Sequence, residues 1–295
     1  MEELKSFSDG SNCLMDNRIV VNANLSEMKG STKISFFGRN NALYVEDGVS
    51  LNNSTIRFLG NNSVIYLSQG NHPYSIKSDI YNNSVVYIGK NCYFNGGLHI
   101  IASEQQNIII GTKCLFSFGI FVRTADPHLI YDSTTKRRIN PSASVFIGDH
   151  VWVGQDVLIL KGTRIGSGSI VGGATCIAGK MIPSNVTIGG NPARIIRENV
   201  FFLPNCVHSW TDDVIEEYSI KETDEYIYFP TENTLEIAAV DSKLKAAQNV
   251  EERLNNVYHL LAMNHDRNRF AISTNKKEES QGIWERIRRG LSSLK

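Results

Sequence analysis

The sequence predicts a mainly β protein: a parallel solenoid of triangular coils with one protruding loop, followed by a mainly helical C-terminal extension. Three observations carry that expectation. An aliphatic residue recurs every six positions through Ile147, Val153, Ile159, Ile165, Val171 and Ile177. Stretches that open on an asparagine pair (Asn40-Asn41, Asn61-Asn62, Asn82-Asn83) recur every 21 residues. After Pro204 the glycine corners disappear, and residues 212–225 hold seven acids and one base.

Period six fits neither a helix, which repeats at 3.6, nor a lone strand, which repeats at 2. It fits a triangle with one short strand per side, each side sending one aliphatic inward, so that stacked coils of about 18 residues share a narrow core. Gly148, Gly154, Gly166 and Gly172 each follow such an aliphatic, and small residues there let the chain turn. Asparagine suits corners because it tolerates left-handed backbone angles. Ile88-Gly89-x-x-Cys92 and Ile110-Gly111-x-x-Cys114 lie 22 residues apart, which stacks the two cysteines at one buried coil position. The solenoid is expected over residues 20–204, after an N-terminal segment 1–19.

The period breaks between Val122 and Ile147, so residues 123–145, from Arg123-Thr124-Ala125-Asp126-Pro127-His128 through Pro141, are expected to leave the coil as a loop. Function concentrates in loops held by rigid scaffolds. Residues 205–295 form the extension. Asn249-Val250-Glu251-Glu252 reads as a capped helix start, followed by Val250, Leu254, Val257 and Leu261 at helical spacing. Residues 271–281 are expected to be flexible. Gly282 to Leu291 is basic and amphipathic, a candidate for contact with a membrane surface or an anionic polymer, or for packing on a neighbouring helix.

Composition narrows the function. The 295 residues carry 30 basic and 30 acidic side chains, whereas nucleic-acid binding draws on a basic surface. No apolar run reaches the ~20 residues that span a bilayer, and the first ten residues lack a secretory core. The five cysteines form no C-x-x-C pair, which fits reduced structural thiols in a cytoplasmic protein.

The hexads, the loop with Asp126 and His128, and the closing Gly189-Gly190-Asn191-Pro192-Ala193-Arg194 resemble the left-handed parallel β-helix, hexapeptide-repeat acetyltransferases. The 24-residue step from His128 to Trp152 is similar to the histidine and tryptophan pair of bacterial capsule O-acetyltransferases of the polysialic-acid type. The resemblance implies acetyl transfer from acetyl-CoA to a sugar hydroxyl of a surface polysaccharide, direct and without a metal. His128 would be the general base, since an imidazole accepts the hydroxyl proton and returns it to the thiolate. Asp126 or Asp132 would orient it, and the oxyanion would take a hydrogen bond from a backbone N–H or from the indole N–H of Trp152. Acetyl-CoA would lie along the C-terminal coils against Gly154, Gly173, Ala174 and Lys180, with Arg194 and Arg197 near its phosphates. Ser117, Arg123, Asp132 and Arg137 are the candidate acceptor contacts. The family assembles as homotrimers with shared sites, which is the expectation here.

Rival readings are a small acceptor in the same fold (a free sugar, serine or an antibiotic) and a non-catalytic solenoid. A carbonic-anhydrase-type hydratase needs three histidine ligands, and position 133, where that family has its close second histidine, is Ser133. His150 falls inside a regular coil and reads as a corner residue, while His72 and His99 read as structural or exposed.

Overall fold

The computed structural model describes residues 2–7, 16–21, 26–264 and 269–273. Its body is a triangular solenoid running from Arg18 to Arg197. Side A stacks Lys33–Phe36, Thr55–Phe58, Ile76–Ile80, Leu98–Ala102, Phe121–Arg123, Leu158–Ile159 and Cys176–Ile177 as parallel strands. Side B stacks Arg18–Val21, Ala42–Val45, Val64–Leu67, Val85–Ile88, Ile108–Ile110, Val145–Ile147, Arg164–Ile165 and Met181–Ile182. Side C runs from Tyr93–Phe94 through Leu115–Phe116, Trp152–Val153 and Ile170–Val171 to Thr187–Gly189. The chain visits B, C and A in turn. Antiparallel strands close both ends: Glu2–Leu4 on Lys33–Phe36, and Arg194–Arg197 on Thr187–Gly189. An antiparallel partner ends the run of parallel coils and covers the otherwise open sheet edge.

The hexad aliphatics all point inward and are fully buried. Cys92 and Cys114 stack in the same core, and burial pushes the Cys114 thiol well up, as expected of an inert packing thiol. The asparagine corners hold: Asn40, Asn62 and Asn83 have φ of 54°, 56° and 53°. The glycines after the aliphatics do something other than turn the chain. The left-handed residues are instead the ones two places on, such as Asn91, Lys113 and His150. What Gly148 needs is space, since a Cβ there would lie 2.5 Å from the backbone N of Ser167 in the next coil. Consecutive coils sit about 4.8 Å apart, and glycine lets their backbones meet at that distance.

The extension packs along side B. The outward residues Tyr44, Tyr66, Tyr87, Ile109 and Phe146 stand in register as an apolar ladder, with the Tyr44 and Tyr66 rings stacked at 4.5 Å. Helix α1 (Asp212–Glu217) buries nothing. Helices α2 (Ile237–Ala246) and α3 (Val250–Val257), with the turn Tyr258–Ala262, lay Val240, Leu244, Val257 and Leu261 onto the ladder. Buried Arg253 of α3 donates to the Asn62 carbonyl at 2.6 Å, fastening the helix to a corner.

The N-cap of α3 forms as read from the sequence: the Asn249 side chain accepts the Glu252 N–H at 2.9 Å. Asn249→Ala is expected to cost about 1 kcal/mol, measurable by urea denaturation with an unchanged m-value. The stretch expected to be flexible from residue 271 begins bound. Ser184 N–H donates to the Ile272 carbonyl and Ile272 N–H to the Ser184 hydroxyl, at 2.9 and 3.1 Å. Residues 274–281, the basic segment Gly282 to Leu291 and Cys13 lie outside the described residues. Among the described residues no helix is long and apolar enough to cross a membrane.

Candidate active site

The loop leaves side A after Arg123 and rejoins side B at Val145, so it stands on the corner between A and B. It folds as a small hairpin. Tyr131 bridges Arg138, and Ile139 N–H donates to the Ile130 carbonyl at 2.9 Å. Asp132 caps the hairpin turn, its Oδ1 accepting the Thr134 and Thr135 N–H groups at 3.0 and 2.6 Å. Those bonds, that to Thr135 first, hold its carboxyl below the ordinary range. Two ion pairs dock the hairpin onto the body. Arg138 grips Glu104 with two 2.8 Å bonds, which takes the Glu104 carboxyl down to about 2. Lys161, from the following coil, meets Asp126 at 2.6 Å.

His128 is exposed, and its imidazole makes no hydrogen bond among the described residues. Asp126 does not orient it. Its carboxylate is taken by the Lys161 ammonium and the Asn140 amide, which together lower its pKa. Asp132 is occupied by its own turn. Both acids therefore shape the loop, and neither bonds the ring. The sequence reading missed Asn140, Lys161 and Glu104. All three are ordinary polar residues at unremarkable places in the pattern, and only the packing of the loop on its neighbouring coils selects them.

Trp152 projects from side C and is 44% exposed, its ring 5.9 Å from that of Phe202. In a triangular coil the corner between A and B is the vertex opposite side C, so one chain holds His128 and Trp152 apart. His150, two residues before Trp152, is a corner residue as read, with φ of 52°. It is also buried: its ring stacks on Phe202 at 4.1 Å and on Tyr226 at 4.5 Å, and its Nε2 lies 3.0 Å from the Phe202 carbonyl. Burial lowers its pKa.

The remaining candidates form three groups. Ser117 and Gly154 are in register at the corner between C and A, with exposed Gly173 and Ala174 one coil further on. Ala174 has φ of 54° and donates its N–H to the Gln155 carbonyl at 2.7 Å. Lys180 is not a free cation: its ammonium donates to the Ala193 carbonyl, which also accepts from Arg194 at 3.1 Å. Arg194 and Arg197, at the two ends of the closing strand, are both exposed. Arg123 lies over the Phe121 ring at 6.0 Å with its Nε unpartnered, and Arg137 is exposed at the hairpin tip.

No family model matches the chain. A polysialic acid O-acetyltransferase of Neisseria meningitidis is 28% identical over 200 residues, 67% of this chain and 93% of that protein. One from Escherichia coli O1:K1 is 34% identical over 129 residues, 43% of this chain and 41% of that protein. Among solved structures, the polysialic-acid-specific acetyltransferase NeuO matches with a TM-score of 0.57 at 29% identity, covering 69% of this chain and 94% of its own. With the repeat, the coil stack and the loop in the same chain, the protein is a β-solenoid that is similar to polysialic acid O-acetyltransferases over about two thirds of its length.

Proposed function

We propose that the chain transfers the acetyl group of acetyl-CoA to a sugar hydroxyl of a bacterial surface polysaccharide of the polysialic-acid type, within a homotrimer. The observation that carries this reading is the placement of His128: the loop that breaks the hexads presents an imidazole bonded to none of the described residues, on the corner opposite side C and its Trp152. The hydroxyl oxygen attacks the thioester carbonyl while His128 takes its proton, the carbon–sulfur bond breaks, and the proton passes to the departing thiolate. Trp152 completes the site from a second subunit. Gly154, Gly173 and Ala174 offer a corner lean enough for the coenzyme's extended arm. Arg194 and Arg197 offer positive charge to its phosphates, and Lys180 holds the closing turn that carries them. Arg123 and Arg137 offer cations to an anionic glycan, and Ser117, at the corner between C and A, offers it a hydroxyl.

The extension supports the assembly. Because α2 and α3 cover side B, sides A and C are the ones left to meet other subunits. Light scattering is expected to give three times the chain mass of 32.9 kDa. His128→Ala and Trp152→Ala proteins should each be inactive. Mixed by reversible dissociation, they should recover about a quarter of the wild-type rate, because a heterologous ring pairs an intact His128 with an intact Trp152 at one interface in four. Failure of the mixture to exceed either parent would place both residues in one chain's site. The acceptor is tested by CoA release on polysialic acid, its monosaccharide, serine and a thiogalactoside. Release with a small acceptor alone would replace the polysaccharide reading.

A further inference from the structure

We propose that Asn140 is the positioning residue for His128, acting through the backbone on both sides of it; this rests on His128 being the base. Asn140 lies on the return arm of the hairpin and is 6% exposed. Its side-chain amide is used at every point. Nδ2 donates to the His128 carbonyl at 2.8 Å and to Asp126 Oδ2 at 3.1 Å. Oδ1 accepts the Ile130 N–H at 2.8 Å, with the Arg138 Nε 3.4 Å away. One amide group thus grips the chain immediately after His128 and again two residues later, and ties both to the acid two residues before it.

The anchoring continues outward. Asp126 is held by Lys161 of the next coil, and Arg138, whose Nη2 also donates to the Asn140 carbonyl at 3.2 Å, is held by Glu104 of the previous one. Asn140 therefore sits at the meeting point of two ion pairs that fix the loop to coils on either side. An exposed imidazole that bonds none of the described residues takes its position from its backbone. That backbone is set by Asn140. Among the described residues no carboxylate bonds the ring, so the geometry a triad supplies through a side chain is supplied through the main chain.

Asparagine is required because the site needs two donors and an acceptor on one short planar group. Asn140→Asp keeps the shape and the acceptor for Ile130, removes both donors, and sets a second carboxylate against Asp126 and the His128 carbonyl. A displacement of about 1 Å in a reacting group costs on the order of 10²-fold. Asn140→Asp and Asn140→Ser are expected to lower kcat by roughly 10- to 100-fold with KM for acetyl-CoA changed less than about 3-fold. Lys161→Met, which leaves Asp126 to compete for the amide alone, should give a smaller loss in the same direction.

The deciding measurement is a double-mutant cycle on CoA release, run on the assembled protein with thermal melting of each variant. If Asn140 works through His128, Asn140→Asp adds less than about 2-fold to the loss already caused by His128→Ala. Equal factors in the two backgrounds would overturn the proposal, as would a kcat within 2-fold of wild type for both Asn140 variants. An active His128→Ala protein would overturn the reading of the base and this proposal with it. An inactive His128→Ala beside a fully active Asn140→Asp would remove this proposal only. Should Asn140→Asp fail to fold, Asn140→Ser and Lys161→Met carry the same cycle.

Discussion

Replacing His128 with alanine is expected to lower acetyl transfer by roughly 10²- to 10⁴-fold, the range in which a positioned general base contributes. The fold should not notice. The ring is exposed and bonds no described residue, so the melting temperature should stay within about 2 °C, as for surface substitutions away from special features. His150 provides the contrast. Its imidazole is buried between Phe202 and Tyr226, so His150→Ala should destabilise by about 2 kcal/mol through lost stacking and a cavity. It should slow turnover only as far as it loosens Trp152. Measuring CoA release and melting on both variants separates chemistry from packing. A His128→Ala protein that keeps a third of the wild-type rate would exclude it as the base.

How far the sequence announces this structure depends on which face of each strand is considered. The inward aliphatics are legible because every coil needs one at the same place, which leaves a strict period. The covered side was also written in the chain, in a form that periodicity does not detect. Strands of side A alternate, as in Ile76–Ile80 with alternate residues buried, and read as one face wet. Strands of side B run Val64-Ile65-Tyr66-Leu67 and Val85-Val86-Tyr87-Ile88 with every residue buried. Continuous apolar strands are the mark of a sheet covered on both faces, so the seat of the C-terminal helices could have been inferred.

The site was legible only where it interrupts the pattern. His128 is found by the break in the hexads, and Trp152 by its distance from His128 and the family resemblance. Asp126 stands in the loop, but its carboxylate pairs with Lys161 and not with the imidazole. Proximity in sequence suggested the imidazole two residues away, while Lys161, 35 residues on and one coil along, supplies the stronger electrostatic contact. Long-range partners of this kind follow from the stacking of coils, which a single sequence does not specify side chain by side chain.

The largest stability effect is expected at Arg269. It enters from the extension, is 4% exposed, and lies 3.2 Å from Asp149 at the corner between sides B and C. The guanidinium also donates to the carbonyls of Leu261 and Asn264, each at 2.9 Å. Asp149 Oδ1 accepts the Thr112 N–H at 2.7 Å, while Oδ2 has no partner among the described residues. Burial pushes the Asp149 carboxyl from the ordinary 3.8 up to about 6 in spite of the arginine. A carboxyl raised on folding adds stability that is complete below the unfolded value of 3.8 and is lost as pH rises through about 6. Arg269→Met keeps the apolar volume and leaves the carboxylate alone, which moves its folded pKa higher still. The cost should be about 3–5 kcal/mol near pH 8, the usual penalty for breaking a buried pair, and clearly smaller near pH 5, where Asp149 takes up a proton. Adding Asp149→Asn, which retains the acceptor for Thr112, should recover most of the loss at pH 8. Urea denaturation of the wild type and both variants at both pH values decides it, and a loss that is equal at the two would refute a charge-based origin. The pair also bears on the site. Asp149 directly precedes His150, whose stack on Phe202 adjoins Trp152, so a strap tied at Arg269 steadies the side-C residue that the proposed active site borrows from a neighbouring subunit.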